Sequence, residues 1–296
     1  MGIMMFAGYT IKKAKLTNAV GEKMLNDIVY WLLMPSLLFY NIVTCPDLGE
    51  ADIGFFVLDS TVIAISILVV AVLIRKWPKQ RRVSALTCMC RTNMSVYGSA
   101  VALSMLAEAD AKLAMLYLSY AVAIQNVFLV SALEFLDESK PNPVRVIIQT
   151  IKNPSVIATI AAVLLNVAGV ELPEVIFKPL SDFSKCATPM AFLMIGVGFC
   201  WMRDRQDRHT VLLIAAARLI LIPAALILPA LALFKIEGAE YVALLSTMAT
   251  PCAVSNASLS EQFGGNALVT NESVILTSAL SIFSFPLFVY LGILIG

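Results

Sequence analysis

An ionisable side chain inside a long apolar stretch is expensive, so each one is a candidate for chemistry. Three stand out here: Arg91, Asp59 and Arg218. Arg91 opens the run Arg91-Thr92-Asn93-Met94-Ser95-Val96-Tyr97-Gly98-Ser99, and its guanidinium fork can grip a carboxylate through two parallel hydrogen bonds. A second run, Thr250-Pro251-Cys252-Ala253-Val254-Ser255-Asn256-Ala257-Ser258, lies at matching depth in another apolar stretch. Both mix small polar residues with Gly or Pro, which lets a helix unwind and frees its amides and carbonyls. Such backbone is tolerated at membrane depth only where it lines a cavity or is buried in protein. Small polar residues also pack ordinary membrane helices closely, so it is the pairing of the two runs that points to a site. Half-helix N-termini meeting there would favour an anion.

The candidate substrate-binding set is therefore Arg91, Asn93, Ser95, Ser99, Gln125, Asn126, Pro251, Ser255 and Asn256, with Gln125 and Asn126 offering uncharged hydrogen bonds to the same cavity. Asp59 reads either as a carrier of H+ or Na+, and so a candidate coupling-ion site, or as an interfacial acid. Arg218 reads as a structural residue that snorkels toward a membrane surface. Other chemistries find little support. The six cysteines form no C-x-x-C pair and His209 is the one histidine, so no metal site and no cofactor is expected. No G-x-x-x-x-G-K-[ST] loop is present to bind ATP, and no nucleophile–base pair marks an enzyme.

The elements that must hold these residues are membrane helices. Of 296 residues, 59% are hydrophobic and 14% charged, with mean hydropathy +0.86. Soluble proteins carry about 45–50% apolar and about 25% charged residues, too polar a balance to match. With 21 Lys+Arg against 20 Asp+Glu there is no basic excess for nucleic acid. A spanning helix needs about 20 apolar residues. Such runs fall at 28–45, 53–74, 83–107, 112–135, 154–170, 187–202, 210–234, 240–262 and 272–295. Gly2 to Ile11 adds a half-length run, read as the inner half of a first helix whose outer half lies upstream. The expected fold is all-α and polytopic, with about ten transmembrane helices, the first truncated.

Basic residues set the orientation. Lys12, Lys13 and Lys15, then Arg75, Lys76, Lys79, Arg81 and Arg82, then Arg203, Arg205 and Arg208 alternate with acidic or neutral loops. The positive-inside rule puts the basic loops in the cytoplasm and both termini outside, in the plasma or inner membrane. The halves share an order of hydropathy. Residues 1–135 form one five-helix repeat, 136–152 a cytoplasmic linker, and 153–296 a second repeat. Five helices is an odd number, so the second copy must be inverted, with broken crossover helices four and nine. Inverted repeats with a midplane site are the usual build of secondary transporters.

Several motifs, in order, resemble the auxin efflux carrier family. They are Leu33-Met34-Pro35-Ser36-Leu37-Leu38-Phe39, Arg91-Thr92-Asn93 followed by Gly98, Gln125-Asn126 and Lys152-Asn153-Pro154. Pro189 with Gly196, Arg218-Leu219 with Pro223, and Pro251 with Glu261-Gln262-Phe263-Gly264-Gly265 complete the series. The resemblance implies a scaffold of helices one, two, six and seven that supports a homodimer, and a moving unit of helices three to five and eight to ten. It implies a small organic anion as substrate, carried by elevator-like alternating access. Plant members have a proline in each crossover where this chain has Ser99 and Asn256, so the resemblance favours bacterial carriers of mono- or dicarboxylates such as malate or malonate. The alternative is a sodium/proton antiporter or a sodium-coupled organic acid symporter on a similar fold. The further alternative, a sensor or scaffold in the lipid bilayer, would bind without flux.

Overall fold

A computed structural model describes residues 2–44, 51–136, 148, 154–170, 172–197 and 207–295. The described residues are helical, without strands, and four helices are long and apolar enough to cross a membrane. Those four are Ile53–Leu73, Glu108–Leu136, Arg208–Leu233 and Ala267–Gly292. The chain is an all-α polytopic membrane protein.

In chain order, α1 (Gly2–Lys13) is followed by α2 (Ala19–Ile28), which runs through a π turn, Val29–Leu33, into α3 (Met34–Val43). Next come α4 (Ile53–Leu73), α5 (Lys79–Cys90), a π turn at Met94–Gly98 that leads into α6 (Ser99–Met105), and α7 (Glu108–Leu136). The second half has α8 (Pro154–Val167), α9 (Glu174–Val197), and α10 (Arg208–Ala216) joined by a π turn, Ala217–Leu221, to α11 (Ile222–Leu233). It closes with α12 (Gly238–Ala249), α13 (Asn256–Gln262) and α14 (Ala267–Ile295).

Two of the π turns have a local cause. Pro35 and Pro223 sit in the first turn of α3 and α11, where each lacks an N–H for the ladder of the preceding helix. A widened turn just before the proline takes up the mismatch without ending the helix. Helix starts are set by familiar caps. Asp52 Oδ1 accepts from the Gly54 amide at 2.7 Å, and Asn266 Oδ1 accepts from the Leu268 and Val269 amides at 3.0 and 3.3 Å. Gly264, at φ +76°, makes the turn between α13 and α14 that a side chain would strain.

The second apolar run begins earlier in space than its hydropathy indicates. Residues 19–28 are helical although Glu22, Lys23 and Asp27 interrupt the apolar pattern, because only part of this helix needs to be dry. Likewise 79–82 belong to α5, and the stretch before Thr188-Pro189 is helix rather than loop, being part of α9. The 136–152 linker, Lys152-Asn153, and Arg203 and Arg205 lie outside the described residues except for Leu136 and Ile148.

The buried apolar residues divide into unequal groups. One large core is drawn from α4–α7, α10–α12 and α14 with the segments joining them, from Phe55 and Ile63 through Leu129 to Val242 and Phe288. None of its buried members comes from α1, α2, α3, α8 or α9. Those five helices pack mainly on one another, α1 along α9 and α3 along α8 and α9, while α3 and α8 also meet α7 around Ile42, Leu116 and Ala162. Glycines bring α1 and α9 to backbone contact. A Cβ on Gly8 would overlap the Leu193 carbonyl, and one on Gly196 the Met5 carbonyl. A smaller apolar group joins the two sets: Val29, Leu33, Met34 and Leu37 meet Val96 and Tyr97, with Ala191 and Phe192. Tyr97 and Phe192 stack edge-to-face at 4.9 Å across that seam.

Candidate functional site

The fourth and ninth spans are both broken, the fourth between Cys90 and Met94 and the ninth between Ala249 and Asn256. The two breaks cross each other. Thr92 and Cys252 form an antiparallel bridge, in which the Asn93 amide donates to the Pro251 carbonyl at 2.8 Å and the Ala253 amide to the Arg91 carbonyl at 3.2 Å. Each extended segment thus satisfies the other's backbone, a requirement wherever helices end away from water. Two further amides are capped from α7 and α14. Thr92 N donates to Gln125 Oε1 at 3.2 Å, and Cys252 N to Thr277 Oγ1 at 3.2 Å. Gly98 is required just beyond the first break, since a Cβ there would press on Leu118 and Ser246.

Arg91 leaves the crossing and ties three elements together. Its Nε donates to Asn126 Oδ1 at 3.1 Å, and its Nη1 to Ser255 Oγ at 2.8 Å and to Asn256 Oδ1 at 3.4 Å. Asn256 Nδ2 donates back to the Arg91 and Thr87 carbonyls at 3.0 and 3.3 Å. No carboxylate pairs with Arg91 among the described residues.

Beside this arginine lies a cavity of about 80 Å³. Its polar lining comes from Arg91, Thr92, Asn93, Ser95, Gln125, Asn126 and Ser255, together with Tyr30. Its apolar lining includes Val29 and Met34 on one side, and Ala191 and Met194 from α9. The cavity therefore sits on the seam between the large core and the helices outside it. No Asp or Glu lines it. Two buried side-chain amide nitrogens on its wall, Asn93 Nδ2 and Asn126 Nδ2, have no hydrogen-bond partner. An unmade buried donor costs about 1–3 kcal/mol, so an acceptor placed at either amide would be favourable.

Six of the nine residues singled out in the sequence line this cavity: Arg91, Asn93, Ser95, Gln125, Asn126 and Ser255. Three do not. Ser99 hydrogen-bonds the Ser95 carbonyl of its own helix, Pro251 contributes its carbonyl to the bridge, and Asn256 braces Arg91 from behind. Tyr30, Met34, Ala191 and Met194 were not in that set, because they come from apolar spans with no polar mark to single them out. Asp59 lies elsewhere, 1% exposed in α4, with the Thr247 hydroxyl against its carboxyl and Oδ1 without a partner. Among the described residues no cluster of His, Cys, Asp or Glu could hold a metal ion.

Arg218 does not snorkel. It is 1% exposed and lies in the π turn between α10 and α11. Its guanidinium donates to the Met89 carbonyl at 2.9 Å, to the Thr250 carbonyl at 3.1 Å, and to the Met248 carbonyl. The Cys252 thiol lies beside it and donates to the Cys88 carbonyl at 2.9 Å, as a small buried hydrophobe with a weak donor does.

Comparison with known proteins agrees with this architecture. No curated protein matches the chain. The family profile described as membrane transport protein matches residues 2–146 and 140–289, nearly the whole length. A crossed pair of broken helices in an all-helical membrane chain, matched from end to end by that profile, places the protein in the membrane transport protein family, the family of the auxin efflux carriers.

Proposed function

We propose that this protein is a secondary carrier of small organic anions, mono- or dicarboxylates, built as two inverted five-helix repeats. The observation that carries the reading is the cavity at the crossing. It presents a guanidinium and two unpartnered amide donors, and it has no acidic residue to repel an anion. A carboxylate is the common group that satisfies several donors at once, and Arg is suited to it by its planar fork. Apolar Val29, Met34, Val122 and Met194 would face the substrate's carbon part. At about 80 Å³ the cavity is well below the roughly 300–1,000 Å³ of sites for drug-sized ligands, which favours an acid of a few heavy atoms.

The division of the core supports alternating access of the elevator kind. The crossing belongs to the large core, whereas the opposite wall of the cavity is supplied by the π turn Val29–Leu33, α3 and α9. A rigid unit of α4–α7 and α10–α14 sliding along that wall would carry Arg91 and its ligand together. The helices left outside the large core would form the static scaffold and the contact for a second copy. Transport of this kind needs no catalytic residue.

A second reading adds proton coupling through Asp59, favoured by its burial and by its unpartnered Oδ1. Uptake driven by a pH gradient in the protein and not in Asp59→Asn would support it, and equal uptake in both would remove it.

Thermal melting of the purified protein against a panel of mono- and dicarboxylates tests the site itself. A small carboxylate should raise the melting temperature of the protein and leave that of Arg91→Ala unchanged. A panel without effect, or equal shifts in both proteins, would contradict the assignment.

A further inference from the structure

The crossing brings together two helix C-termini as well as two helix starts. The last turns of α5 and α12 end at Cys90 and Ala249, and their final carbonyls carry the partial negative charge of a helix C-terminus. Left in the interior without a partner they would be costly. In carriers with discontinuous helices, such carbonyls and half-helix ends are what hold a coupling Na+. Here the position is filled by a side chain. Arg218 donates to Met89 O from the end of α5, and to Met248 O and Thr250 O from the end of α12. Met89 and Met248 each stand one residue before the end of their helix, and Thr250 one residue past the end of α12. No carboxylate pairs with Arg218 among the described residues, so carbonyl dipoles are what solvate its charge. The π turn at Ala217–Leu221 aims it inward, and the guanidinium is among the largest fully buried side chains.

We propose that Arg218 is a built-in cation: it permanently occupies the carbonyl cluster that would otherwise hold a sodium ion, so the crossing is complete without one. The consequence for transport rests on the carrier reading above, whereas the carbonyl geometry does not. Coupling to sodium at the crossing is therefore absent, and Arg218 acts as a positioning residue that fixes both breaks and, through the Arg91–Ala253 backbone bond, the start of the anion site.

The test requires no substrate, so its failure is separable from failure of the carboxylate reading. The purified protein and Arg218→Ala are melted in sodium chloride and in N-methylglucamine chloride of equal concentration, with and without millimolar methylguanidinium. The unsubstituted protein should melt at the same temperature in both salts. Arg218→Ala should melt lower and regain about 3 °C or more with methylguanidinium or Na+, but not with N-methylglucamine. A sodium-dependent melting temperature in the unsubstituted protein would overturn the proposal. So would a folded Arg218→Ala that no small cation stabilises. Should Arg218→Ala fail to fold, Arg218→Lys and Arg218→Gln decide: recovery of the lysine variant alone supports a cation requirement, and equal behaviour of the two overturns it.

Discussion

Two arginines stand at one crossing and are used in opposite ways. Arg218 is sealed, 1% exposed, with Nε, Nη1 and Nη2 each donating to a backbone carbonyl. Arg91 is braced by Asn126, Ser255 and Asn256 and borders a cavity whose lining residues Asn93 and Asn126 each keep a buried amide nitrogen without a protein partner. On the reading proposed above, the same chemical group serves architecture at Arg218 and recognition at Arg91. Stability should follow the first arginine and ligand binding the second.

The largest expected effect is at the sealed side. Arg218→Ala leaves three buried carbonyls without a donor and should cost about 3 kcal/mol or more, read as a lower melting temperature in detergent. Arg91→Ala should split the other way. Loss of a charge-assisted grip is worth about 2–3 kcal/mol, roughly 100-fold in carboxylate binding, with a smaller change in melting than Arg218→Ala. If Arg91→Ala proves the more destabilising of the two, the contrast between them fails.

Asn93→Leu sharpens the distinction, because Asn93 Nδ2 is a buried donor without a partner. Removing it should leave the melting temperature unchanged or raise it, while weakening carboxylate binding about tenfold. A drop in stability would mean that the amide is satisfied in the unliganded protein. The smallest effects belong to the two capping residues. Gln125→Leu and Thr277→Val each take the acceptor from an amide at a break, and each should cost about 1 kcal/mol. Similar losses from the two would indicate that the crossing is balanced; a much larger loss from one would show a dominant half.

Much of this arrangement was legible in the sequence because its causes are local. A helix that meets Arg-Thr-Asn or Thr-Pro-Cys in an apolar run has weak reason to continue, and both breaks fall there. Span positions were legible for the same reason, since about 20 apolar residues measure a membrane. The start of the second span was not. Glu22, Lys23 and Asp27 read as loop, whereas that helix can keep them wet while burying Val29 and Leu33 further on. Which residues of a broken helix face the cavity depends on how two segments cross, and that is a long-range property. Ser95 therefore lines the cavity, while Ser99, one turn on, bonds back to its own helix. The role of Arg218 was hidden for a similar reason: its acceptors are backbone carbonyls of two distant helices, and every residue type has one.

The central claim is that the cavity beside Arg91 carries a small carboxylate across the membrane. Counterflow in proteoliposomes, with a panel of radiolabelled mono- and dicarboxylates, tests it most directly. The account predicts accumulation of at least one of these acids by the unsubstituted protein, and its loss in Arg91→Ala reconstituted at equal density. Accumulation of the same acid by Arg91→Ala at the unsubstituted rate, or none of any acid by the unsubstituted protein, would contradict it.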